Sequence, residues 1–192
     1  MVLSLLSERA EADHMSADLQ HLYDSSFKKL GFTPVEFMRL MSVSHKETLS
    51  PQSLLCQEGV PAKSFYYLCD GVVSVNQGGA AIASITSHQF IGEMSFLTFL
   101  SEGVVPPSSA TCEVGTKEGA GTGEEAESTL YRWDIGTLAE FLKKDDNRGV
   151  RNALQAYISD DLRKKIRKMT THKVHSKIVA ATTQDDTSPK PA

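Results

Sequence analysis

Phe65-Tyr66-Tyr67-Leu68-Cys69-Asp70-Gly71-Val72-Val73-Ser74-Val75 is the stretch on which the fold turns. Two short runs, one aromatic and one rich in valine, meet at an Asp-Gly join. Aromatic and β-branched side chains suit a pleated surface, and Asp-Gly suits a sharp reversal between strands. Working outward, the same texture repeats. Ser53–Cys56 is a short apolar run closed by Gly59 and Pro61, and Gly78-Gly79 separates the valine run from Ala80–Ile85. Ser109–Val114 and Thr129–Asp134 are two further strand candidates. Strands this short, at this spacing, predict an antiparallel roll or barrel, with β texture over residues 46–134.

Helices flank the β region on both sides. Leu19, Leu22, Tyr23, Phe27 and Leu30 recur at three- and four-residue spacing and share one helix face, and Gly31 supplies a left-handed stop. A second helix opens with Thr33 as N-cap, Pro34 at the first helical position and Glu36 completing a capping box, and it buries Phe37, Leu40 and Met41. After the roll, Leu138, Phe141 and Leu142 mark one short helix. Leu154, Tyr157, Ile158, Leu162, Ile166 and Met169 mark a longer one. Residues 1–15 read as a flexible start and 16–43 as helical. Residues 135–169 are the C-terminal helices, and 170–192 a polar tail without structure. Residues 115–128, rich in Gly and Glu and without a large apolar side chain, read as a flexible loop.

Composition excludes several classes. The chain has 192 residues, 40% hydrophobic and 23% charged, enough for one domain with a core. A formal charge of −4 gives no general attraction to nucleic acid. Cys56, Cys69 and Cys112 lie far apart without metal-ligand spacing, and are expected to be reduced and buried. The histidines, His14, His21, His45, His88, His172 and His175, show no ligand pairing, so no metal is expected. No nucleophile motif, Walker loop or dinucleotide fingerprint is present, and an enzyme is not expected. The apolar start Met1–Leu6 is too short for a signal segment and no run approaches a membrane span, so a cytoplasmic protein is expected. The basic run Arg163, Lys164, Lys165, Arg167 and Lys168 reads as the solvated side of the last helix.

Three landmarks in order resemble the cyclic-nucleotide-binding domains of the catabolite activator and of protein kinase A regulatory subunits. They are Leu49–Gly59, with its closing acidic residue and glycine, Phe65–Val75, and Phe90-Ile91-Gly92-Glu93-Met94-Ser95-Phe96-Leu97. The resemblance covers about Leu19 to Met169 and implies a mainly β fold: an antiparallel β-roll of the jelly-roll kind with helices at both ends. It also implies a small-molecule ligand, cyclic AMP or cyclic GMP, and no other cofactor. Phe90, Gly92, Glu93, Met94 and Ser95 correspond to the family's phosphate-binding cassette, and Ser108, Ser109 and Ala110 to the segment that faces it. A glycine lets backbone approach a cyclic phosphate, and a helix beginning there offers free N–H groups. Glu93 stands where the family's carboxylate accepts the ribose 2′-hydroxyl.

One element departs from the pattern. Pro107-Ser108-Ser109-Ala110-Thr111 matches the family's Pro-Arg-Ala-Ala-Thr, with serine in place of the phosphate-binding arginine. A charge-assisted hydrogen bond is worth about 1.5–3 kcal/mol, so its loss weakens binding by about ten- to a hundredfold. Popeye domains, a branch lacking that arginine, share the look of Leu19–Tyr23, Phe27–Leu30 and Gln89–Ile91, but carry Asp-Ser-Pro-Glu where this chain has Gly92-Glu93-Met94-Ser95. Two functions are therefore in play. One is a sensor whose ligand repositions the C-terminal helices, with Tyr157 or Leu162 reaching the base. The other is a non-binding roll that recruits a protein partner or a second copy through its C-terminal helix. Nucleic-acid recognition would need a helix-turn-helix after Met169, where the chain is polar, and membrane attachment would need segments beyond this sequence.

Overall fold

The computed structural model describes residues 15–116 and 127–184. The flexible start expected before residue 15, most of the loop expected over 115–128, and the last eight residues lie outside the described residues.

The first helix, α1 (Ala17–Leu22), is capped by Ser16 and runs on through a π-helical turn (Tyr23–Phe27) and a 3-10 turn (Lys28–Leu30). It stops at Gly31, whose φ of +89° is the expected left-handed end. Helix α2 (Pro34–Met41) starts as its sequence requires: Thr33 accepts from the Glu36 backbone N–H, and Glu36 accepts from that of Thr33.

Eight strands follow: β1 His45–Leu49, β2 Leu54–Cys56, β3 Ser64–Asp70, β4 Val72–Gln77, β5 Ala80–Thr86, β6 Gln89–Ile91, β7 Thr111–Val114 and β8 Ser128–Asp134. They form two antiparallel four-stranded sheets, ordered β1-β8-β3-β6 and β2-β7-β4-β5. The expected antiparallel roll is present. The two glycine joins do different jobs. Gly78-Gly79, at φ +57° and +80°, is a two-residue hairpin turn between β4 and β5, the geometry that the sheet's right-handed twist favours. Asp70-Gly71 is a corner: β3 lies in one sheet and β4 in the other.

β3 sits in the middle layer, and this explains why its alternation was hard to see in the sequence. Phe65 and Tyr67 point into a large core shared with the helices, while Tyr66 and Leu68 point into a smaller core between the sheets. Successive side chains take opposite faces, so a strand covered on both faces reads as a continuous apolar run. β8 and β6 behave alike: Tyr131, Trp133 and Phe90 face the helices, and Leu130 and Ile91 face the second sheet. Layers of helix, sheet and sheet result.

Three more helices complete the fold: α3 Glu93–Glu102, α4 Ile135–Lys143 and α5 Arg148–Gln184. Asp134 caps α4 through the Thr137 backbone N–H, which holds its carboxyl below the ordinary value. Helix α5 does not stop at Met169, and where the sequence suggested an unstructured tail from Thr170 the helix continues to Gln184. Extending a helix that is already nucleated costs little, and Pro189 is the first breaker beyond. No helix among the described residues is long and apolar enough to cross a membrane.

Candidate ligand site

The cassette begins at Gly92, which caps α3 with φ +83°. A Cβ there would lie 3.2 Å from the Ser64 carbonyl oxygen, so both the dihedral and the close backbone approach call for glycine. Glu93 follows in the first turn of α3, where a carboxylate is favoured by the helix dipole, yet the residue is only 8% exposed.

A cation occupies this carboxylate. Lys165, on α5, donates to Glu93 Oε1 at 2.8 Å, to the Phe90 carbonyl at 2.6 Å, and lies 3.0 Å from Asp161 Oδ2. Two of the ammonium's three donors are thus in hydrogen bonds, and the ion pair with Asp161 is its third contact. Asp161 also accepts from the Phe90 backbone N–H at 3.4 Å. Phe90 belongs to β6, an edge strand whose outward N–H and C=O would otherwise lie unpaired. Two side chains of α5 thus cap the sheet edge and clamp the cassette in one arrangement. The three side chains are 19%, 10% and 6% exposed for Lys165, Glu93 and Asp161.

This corrects the reading of the basic run as a wholly solvated face. Arg163, Lys164 and Arg167 are exposed, but Lys165 turns inward. The signal was available in the spacing. At about 3.6 residues per turn, Asp161 and Lys165 fall within about 20° of Leu154 in projection, on the buried side.

The other sequence-predicted site residues divide. Phe90 is fully buried, stacked on Phe65 at 4.8 Å and edge-on to Tyr157 at 4.7 Å, so it is core and leaves no face for a ligand. Tyr157 is core as well: its hydroxyl shares a 2.8 Å hydrogen bond with that of Tyr67, and it does not stand free to meet a base. Met94 is 60% exposed, while Ser95 is buried. Ser108 is buried and its backbone is pinned to the Glu58–Val60 turn, donating to the Val60 carbonyl and accepting from the Gly59 N–H. Its hydroxyl makes no hydrogen bond within normal geometry, the one buried side-chain polar atom of this kind among the described residues. Ser109 is exposed, with its carbonyl held by Gln77, and Ala110 is half-buried.

Glu93 and the Ser108 segment act on one shared group. The Cys56 thiol feels the Glu93 charge and lies within reach of the Ser108 hydroxyl. Cys56 also donates to the Ala110 carbonyl at 3.6 Å, so it lies beside the serine segment and within the influence of Glu93. On the far side of the Lys165 clamp lies a separate cavity of about 340 Å³, bordered by Ser26, Lys29, His88 and Asp161. There Ser26 Oγ meets His88 Nδ1 at 2.9 Å, and His88 holds a left-handed φ of +67°. No cluster of His, Cys, Asp and Glu among the described residues could hold a metal ion.

A profile of the cyclic nucleotide-binding domain matches residues 46–116, from β1 through β7. No curated protein matches the sequence. Solved structures do. A cyclic nucleotide-binding domain from Methylobacillus flagellatus aligns at 18% identity over 76% of this chain and 74% of its own, with a TM-score of 0.59. The C-linker/CNBHD of zELK channels, crystallised in the presence of cAMP, aligns at 16% identity over 80% of this chain and 66% of its own, with a TM-score of 0.54. The catabolite activator protein of Thermus thermophilus aligns at 16% identity over 74% of this chain, with a TM-score of 0.53, and the match spans 61% of that protein. At these identities the likeness bears on fold alone: the two-sheet roll resembles those of cyclic nucleotide-binding domains, and the profile match falls within it.

Proposed function

We propose that this chain is a regulatory module that senses a cyclic nucleotide, and that its resting state is held closed by Lys165. The observation that carries the reading is the triple engagement of Lys165 with Glu93, Asp161 and the Phe90 carbonyl. In domains of this type the cassette carboxylate takes the ribose hydroxyl. Here it is already taken, by a side chain of the helix that a ligand would have to move. A ligand that binds Glu93 therefore prefers the state in which α5 has let go, and such a preference is what shifts a two-state equilibrium. The missing arginine and the closed clamp act in the same direction: both lower affinity. The module binds and signals; it has no catalytic role in this reading.

The test is isothermal titration of cyclic AMP and cyclic GMP into the wild-type chain, Glu93→Ala and Lys165→Met. The expected result is weak binding by the wild type, loss in Glu93→Ala, and binding about tenfold tighter in Lys165→Met, because the binding-competent open state no longer has to be populated against the clamp. Weaker binding in Lys165→Met would show Lys165 to be a ligand contact and not a competitor. A second reading is favoured by the burial of Glu93 and Ser95: a permanently closed, Popeye-like roll that serves protein partners. No binding heat in any of the three proteins at millimolar nucleotide would support it.

A further inference from the structure

Cys56 and Cys112 are opposed Cα partners across the antiparallel pair β2 and β7. Residues directly opposite each other on such a pair project to the same face, with Cα atoms about 4.5–5.5 Å apart. A disulfide spans Cα separations of about 4.4–6.8 Å, so this register meets its distance requirement without backbone movement. Both thiols are free, Cys112 buried and Cys56 half-buried, so a small oxidant reaches Cys56 first.

We infer that Cys56 and Cys112 are a thiol pair that a peroxide converts into a cross-strand disulfide at the wall of the candidate ligand site. Three features of the surroundings support it. The Ser108 hydroxyl, buried and without a partner, lies within reach of the Cys56 sulfur, and a thiolate there would give that orphan donor an acceptor. Hydrogen bonding from the Cys112 thiol is the largest influence on Cys56 and holds it down at about 7 against the upward push of burial. The same interaction, with burial, pushes Cys112 up, so Cys56 is the one of the two that ionises more readily. The attacking species in this chemistry is the thiolate. Cys69 is the internal contrast: it has no opposed cysteine, and burial raises its thiol to about 12.

The steps balance. The Cys56 thiolate attacks one oxygen of hydrogen peroxide. An S–O bond forms, the O–O bond breaks, and hydroxide leaves and is protonated to water. The Cys112 sulfur then attacks the Cys56 sulfur of the sulfenic acid: the S–S bond forms, the S–O bond breaks, and the departing hydroxide takes the Cys112 proton as a second water. Two electrons pass from sulfur to peroxide. The product ties β2 to β7 beside Ser108–Ala110, and it forms whether or not a nucleotide ever binds.

The experiment exposes the reduced, folded chain to stoichiometric hydrogen peroxide and reads intact mass and non-reducing peptide maps. The expected result is loss of two hydrogens, a Cys56–Cys112 linked peptide pair and an unmodified Cys69. In Cys112→Ser, Cys56 should stop at a sulfenic acid trapped by dimedone, and in Cys56→Ser the linked pair should be absent. Alkylation of Cys56 in the Cys69→Ser chain should rise through about pH 7, the value its surroundings set. Linkage through Cys69, intermolecular linkage only, or a Cys56 inert to peroxide in both the parent and Cys112→Ser would overturn the assignment.

Discussion

Replacing Lys165 by Met leaves Glu93 and Asp161 facing each other's neighbourhood with no cation between them, in a place where each is at most one-tenth exposed. Breaking a fully buried ion pair from one side costs about 3–5 kcal/mol, and the partial exposure of Lys165 brings the expected loss down to about 2 kcal/mol. The loss should appear as a lower urea midpoint. The Phe90 amide supplies a local reading, because it donates to Asp161 at the edge of the sheet. Its hydrogen exchange should accelerate in Lys165→Met more than that of amides deep in β3. A double-mutant cycle with Glu93→Gln should give a coupling of about 1 kcal/mol or more, as residues in one charge network do. Additive effects, or an unchanged Phe90 amide, would mean that the clamp is a surface contact of little consequence.

At the scale of elements, the glycines of the two joins should respond in opposite ways. Gly71 turns the chain from one sheet to the other at φ +113°, and a Cβ there would collide with the Ser128 side chain and backbone. Ser128 is itself needed at that corner, where its hydroxyl accepts from the Val72 N–H. Gly71→Ala should therefore cost about 2 kcal/mol or more, combining left-handed strain with a clash against backbone. Gly78 lies in the hairpin turn at φ +57° with open space around it, and Asn tolerates that conformation. Gly78→Asn should change the thermal midpoint little. Equal melting shifts for the two variants would contradict the assignment of one glycine to a corner and the other to a hairpin.

For the molecule as a whole, the hydrogen bond between Tyr67 and Tyr157 joins the middle sheet to the helical layer across the main core. Burial is the main cause that raises Tyr67 to about 12, and burial likewise raises Tyr157 above the ordinary value. The sign of the linkage follows: a folded value above the unfolded 10.0 means that the fold favours the neutral phenol. The stabilisation from this pair is thus complete below about pH 10 and is lost as the pH climbs towards 12. Titration of tyrosinate absorbance should show these two phenols ionising last, together with unfolding. Their ionisation near pH 10 with the fold intact would place them in a wet, open interior.

The helix caps, the Gly31 stop and the order of helices, roll and helices were legible in the sequence because each depends on neighbours within a few residues of chain. Thr33, Pro34 and Glu36 carry their own instruction. Most strands were legible too, but β1 and β6 were not read as strands, and the ends of the others lay within a few residues of those expected. The cassette glycine and glutamate were found by pattern, since a left-handed turn opening a helix has a recognisable spelling. The fate of Glu93 was not legible. Its partner stands 72 residues away in a run of lysines and arginines that differ little in sequence. Sequence by itself determined the roll and its local turns, through propensity, periodicity and capping. Tertiary structure alone decided that Lys165 meets Glu93, that Phe90 and Tyr157 serve the core, and that Cys56 faces Cys112. Those outcomes depend on how layers pack and strands register, and a one-residue slip in register would reassign every one of the strand contacts.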